Sequence, residues 1–72
     1  MSGHLLENII LFGRVLRGLG FDVDPARMID FVVALGYVPI GRRADFHAVA
    51  RAVLVTRRED MPVFDQAFEV FW

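Results

Sequence analysis

Ser2 and Thr56 are the only aliphatic hydroxyls in this 72-residue chain, and it has no cysteine. A hydroxyl nucleophile works only with a general base beside it. Ser2 stands at a fraying end, and Thr56 stands where a helix cap belongs. The two histidines, His4 and His47, are far apart, and neither has a second His, Cys or Asp at ligand spacing on a helix face. Asp45 is two residues from His47, so the two diverge on a helix. Paired carboxylates would need a shared cleft for acid–base work. Asp22 and Asp24 straddle a helix start, as do Glu59 and Asp60, and negative charge is favoured there without any catalysis. Gly18-Leu19-Gly20 is a lone G-x-G with no strand before it, which reads as a helix stop and not a phosphate loop. The expectation is no enzyme, no cofactor and no metal site.

Arg42-Arg43 and Arg57-Arg58 flank the third helix, with Arg51 between them. A helix–turn–helix reading would lay that helix in a DNA groove. Asp45, Glu59 and Asp60 cancel the positive patch, and the helix is mostly Ala and Val, without base-reading side chains. A small helical nucleic-acid-binding domain is therefore the runner-up. The net charge of −1, from eight Arg, no Lys and nine acids, gives no general attraction to nucleic acid or to an anionic membrane. No run of ~18 apolar residues free of charge exists, so nothing reads as a membrane span. The apolar N-terminal run lacks a basic start and is broken by Glu7 and Asn8, unlike a secretion signal. A cytoplasmic home is the default.

These residues must be carried by helices. Leu5, Ile9, Phe12, Leu16 and Leu19 recur at steps of four and three, and Leu6, Ile10, Leu11 and Val15 widen that arc. Asp24 and Pro25 open a second helix with a cap and a first-turn proline, and Val23 and Met28 have the spacing of a hydrophobic staple. Met28, Val32 and Leu35 form its expected stripe, with Arg27, Asp30 and Ala34 opposite. Phe46, Val49, Ala50, Val53 and Leu54 line the third helix, with His47 and Arg51 pointing away. Thr56-Arg57-Arg58-Glu59 matches a capping box for the fourth, in competition with Asp60, because Pro62 belongs near a helix start. The predicted helices span 3–19, 25–36, 43–55 and 59–71. The fold class is all-α, a small four-helix orthogonal or bundle-like domain filling residues 1–72. The expected core includes Phe12, Leu16, Met28, Val32, Phe46, Val53, Phe64 and Phe68.

Phe12-Gly13-Arg14-Val15-Leu16-Arg17, Gly20-Phe21 and Asp24-Pro25-Ala26-Arg27 resemble the N-terminal helical region of CoxE-like proteins that contain a von Willebrand factor A domain. So do Leu54-Val55, Arg57-Arg58-Glu59-Asp60, and Phe64-Asp65-Gln66-Ala67-Phe68 followed by Phe71-Trp72. The resemblance implies a downstream von Willebrand factor A domain bearing a D-x-S-x-S metal motif. Nothing here matches that motif, so no metal ligand is carried over to this chain. It also implies partnership with a MoxR-type AAA+ ATPase in metalloenzyme maturation. The apolar end at Phe71-Trp72 reads as the front part of a longer protein.

With 56% hydrophobic residues, the chain has more apolar material than one small core can hide. The surplus is expected on the fourth helix. Met61, Phe64, Phe68 and Phe71 tie it to its own domain, while Val63, Ala67 and Val70 lie roughly opposite Met61 at ~100° per residue. Val63, Ala67, Val70, Phe71 and Trp72 are therefore the candidate partner interface, for a docking partner or for a second copy. A domain-swapped variant would hinge at Val38-Pro39-Ile40. The absence of a ligand set makes one prediction. Adding Mg²⁺, Mn²⁺ or Zn²⁺ should leave the melting temperature unchanged, and a saturable upward shift would reveal a site that binds the folded state.

Overall fold

The computed structural model describes residues 3–38 and 41–72; Ser2 and the Pro39–Ile40 part of the expected hinge lie outside the described residues. Four α-helices follow one another: α1 (Gly3–Gly18), α2 (Pro25–Leu35), α3 (Arg43–Leu54) and α4 (Met61–Phe71). No strand occurs among the described residues. The four predicted spans agree with these bounds to within two residues.

The glycine stop of α1 is a Schellman motif. Gly20 has φ +97°, a left-handed conformation open to residues without a Cβ. Gly20 N donates to Arg17 O at 3.0 Å and Phe21 N donates to Leu16 O at 2.9 Å, satisfying two carbonyls of the last turn. The motif turns the chain sharply and drives Phe21 into the core beside Leu16. Val23 follows it inward, and Arg17 Nη1 donates to the Val23 carbonyl at 3.0 Å. The Asp24 cap then starts α2, its Oδ1 accepting from Arg27 N at 2.8 Å.

Two sequence expectations need correction here. In α2 the buried residues are Phe31 and Leu35, with Met28 packed partly against the core, while Val32 is 41% exposed. The helix is apolar around most of its circumference, and its polar marks do not face directly away from the core. Arg27 reaches sideways to α3, its Nη1 donating to Val53 O at 3.2 Å, so the inward face is centred on Phe31. At the start of α4 Asp60 takes the N-cap position and Thr56 does not, but neither side chain makes a capping bond. A 3-10 turn, Arg58–Asp60, precedes the helix; its N-cap position is Arg57, one residue past Thr56, and Asp60 makes no capping bond. The Asp60 carboxylate is taken instead by Arg57, at 3.1 and 3.2 Å. Pro62 falls in the first turn of α4, where a missing N–H costs nothing.

The core is aromatic. Phe12 of α1 meets Phe64 at 5.8 Å, Phe68 at 6.1 Å and Phe71 at 5.1 Å between ring centroids, the first two edge-on. Phe46 of α3 meets Phe68 at 5.7 Å and stacks on Phe31 of α2 at 5.9 Å. Rings in this range attract beyond their area burial. Ile9, Leu16, Val23, Ala50 and Leu54 fill the remaining interior. Met28 closes the α1–α2 approach; a Cβ at Gly13 would stand 2.8 Å from its sulfur, so the thioether occupies the space that glycine leaves.

This packing predicts unequal losses. Phe64→Ala or Phe68→Ala, each removing a fully buried ring, should cost roughly 3–5 kcal/mol, comparable to the whole stability of a domain this small. Val32→Ala should cost far less. Urea unfolding followed by circular dichroism measures the contrast, and equal losses at Phe68 and Val32 would contradict this core.

Candidate docking surface

One polar cluster lies on the seam between α3 and α4. His47 Nε2 lies 2.8 Å from Asp65 Oδ1, and Arg51 Nη1 donates to Asp65 Oδ2 at 3.3 Å. The His47 ring stacks on Phe68 at 4.4 Å, and the Arg43 guanidinium lies 5.1 Å from the same ring while pairing with Glu69 at 3.5 Å. His47 and Arg51 therefore do not point away from the core, as their positions on α3 suggested; they turn to α4. Eighteen residues separate His47 from Asp65, so no local spacing could pair them. The arrangement is a helix clasp: both carboxylate oxygens are occupied by this chain's own donors. Among the described residues no three His, Cys, Asp or Glu side chains converge as a metal site would require.

Two further arginines are also paired within the chain. Arg42 lies 3.9 Å from Asp45, and Arg57 is bound by Asp60, whose hydrogen bond and charge raise the Arg57 pKa above its ordinary value.

The apolar surplus forms an open groove of about 530 Å³ between α1 and α4. Val15 and Leu19 form one wall; Val63, Gln66, Ala67, Val70 and Phe71 form the other. Val70 is 84% exposed and Val63 about half exposed, whereas Ala67 and Phe71 are half-buried at the groove floor. No charged side chain lines it. Four of the five residues expected at a partner surface thus share one depression, together with Val15 of α1 and Leu19 just past its end, which the fourth-helix pattern could not supply.

Trp72 stands apart from them. Nine residues beyond Val63, it falls half a turn away at ~100° per residue. Its ring packs on Phe46 at 4.9 Å and on Phe12 at 5.8 Å, half-buried against the chain's own core. Its Nε1 is shielded without an acceptor. An unpaired donor costs ~1–3 kcal/mol, and burying even half of an indole at ~25 cal/mol per Å² offsets that.

The family model of the CoxE N-terminal helical bundle domain matches residues 9–72, nearly all of the chain. The chain belongs to this family. No curated protein and no solved structure matches it.

A second apolar surface in this CoxE N-terminal domain went unseen in the sequence. Leu6, Ile10, Ile29, Val32 and Val33 are exposed around a smaller hollow between α1 and α2, with Ile9 and Met28 beneath. The signal was present: from Met28 to Leu35 only Asp30 is charged. Reading Val32 as core hid it.

Asp65→Ala should lower the unfolding free energy by about 1 kcal/mol, since it frees two donors in a partly exposed seam. His47→Ala combined with Asp65→Ala should cost less than the sum of the two single losses. Strict additivity in urea titrations would show that the pair does not couple α3 to α4.

Proposed function

We propose that this CoxE N-terminal domain is a non-catalytic docking module, and that it works by seating an apolar helical segment of a partner protein in the groove between α1 and α4. One observation carries the reading: the groove is contiguous, apolar and free of charged lining, while the polar clusters are consumed in pairs within the chain. Isolated exposed hydrophobics are ordinary, but a joined patch rimmed by polar residues is the usual mark of a partner site. An amphipathic helix laid between two helices buries its apolar face at i, i+3, i+4 and i+7 spacing, which suits a furrow walled by Val15 and Leu19 on one side and Val63 and Val70 on the other.

The family resemblance suggests the partner, a MoxR-type AAA+ ATPase acting with the CoxE-like protein in metalloenzyme maturation. Nucleic-acid binding has less support, because Arg42, Arg43, Arg51 and Arg57 each lie against an acid of this chain.

Titration calorimetry between this domain and the purified ATPase tests the proposal. Saturable binding is expected, and Val63→Glu with Val70→Glu should weaken it at least tenfold, about 1.4 kcal/mol. Both positions are exposed, so the variant should keep its helical spectrum. No binding by the parent, or equal binding by the variant, would sink the proposal.

A further inference from the structure

The outer crest of α1 carries a charge arrangement that the fold leaves unused. At ~100° per residue, Glu7 and Arg14 fall within about 20° of each other, on the side opposite Leu5, Phe12 and Leu16. Two turns separate them, about 10.5 Å along the axis, too far to pair within one helix. Among the described residues Glu7 has only His4 nearby, at 3.4 Å, with both side chains more than 70% exposed. Arg14 is exposed and has no acid within reach among the described residues. Ile10 and Leu11 lie between them, flanking the crest, each nearly half exposed.

This order is antisymmetric in charge about the Ile10–Leu11 bond. Glu7 and Arg14 are equally far from it, as are Leu6 and Val15, which are both exposed. A two-fold axis placed there runs a second α1 antiparallel to the first. Each Glu7 then faces the Arg14 of the other copy, while Ile10 meets its own counterpart on one flank and Leu11 meets its own on the other. An isologous contact sets a surface against itself, so most charged crests repel their own copies. This one attracts. Gly18, near the end of the crest, has open space around its Cα, so close approach is not blocked.

We infer that the domain forms a two-fold homodimer through α1, with Ile10 and Leu11 at the axis and two Glu7–Arg14 ion pairs at the flanks. The self-association expected on α4 is thereby moved to α1, and the groove between α1 and α4 is not its main contact.

Charge reversal tests the geometry. Sedimentation equilibrium of the parent chain up to about 1 mM should show a monomer–dimer equilibrium. Glu7→Arg alone, or Arg14→Glu alone, turns two attractions into two repulsions and should raise the dimer dissociation constant roughly tenfold. The double reversal restores both pairs with their signs exchanged, and should return the constant to within about threefold of the parent. All four positions of the crest are exposed, and circular dichroism checks that each variant is folded. A parent monomeric throughout, or a double reversal as weak as the single ones, overturns the inference. Equal weakening by Val63→Glu with Val70→Glu would place the contact on α4 and overturn it as well, whatever the calorimetry with the ATPase shows.

Discussion

The ring of Phe68 is where three helices are made to agree. It is fully buried, and it is touched by Phe12 from α1, by Phe46 and His47 from α3, and by Phe64 on its own helix. An aromatic ring has a negative face and a positive edge, so each neighbour must choose an orientation. Phe12 comes edge-on, His47 lies flat, and the Arg43 guanidinium takes up a cation–π position at 5.1 Å. Aliphatic packing would fix how far apart the helices stand. The aromatic packing also restricts how each helix is rotated about its axis, and that rotation decides which residues of α1 and α4 are left facing outward.

The clasp on the same seam reinforces the rotation. Asp65 accepts from His47 and Arg51, which are four residues apart on α3 and so present one face of it. Rolling α4 by one residue would carry Asp65 about 100° away from both donors. Such half-exposed pairs contribute modestly to stability. Their larger effect is selective, since they add a polar constraint to the rotation that the aromatic packing already sets. The same seam pairs the arginines of α3, Arg51 with Asp65 and Arg43 with Glu69, so α3 presents no unopposed basic face.

Local signals were legible in the sequence and non-local ones were not. Asp24-Pro25 and Gly18-Leu19-Gly20 act through bonds within a few residues, and both do what their types imply. The Thr56 capping box failed because a 3-10 turn over Arg58–Asp60 delays the helix to Met61, and the Asp60 carboxylate makes no capping bond because Arg57 takes it. Phe31 was missed because α2 is apolar nearly all round, so its pattern gave no sharp centre; only the position of Phe46 settles it. The outward edge of α4 was readable, since Val63 and Val70 oppose the aromatic stripe. Its completion by Val15 and Leu19 was not, because that depends on how α1 lies against α4. Trp72 was misjudged for the same reason, as its seat on Phe46 is formed by another helix.

The exposed apolar side chains are of two kinds, and the difference bears on function. Tyr37 is 85% exposed beyond the end of α2, alone and with its hydroxyl free to meet water, which calls for no explanation. Leu6, Ile10, Leu11, Val15 and Leu19 are different, for they follow α1 along its whole length. A helix buried only along the stripe of Leu5, Ile9, Phe12 and Leu16 could carry polar residues at every one of those positions without loss to the core. Replacing them would also lower the aggregation risk of a small domain with marginal stability. That the chain instead keeps aliphatic residues on both flanks of α1, and confines charge on its crest to Glu7 and Arg14, is what the proposed docking and self-association would require. Its own fold supplies one cover, and the two flanks, facing α2 and α4, leave room for others.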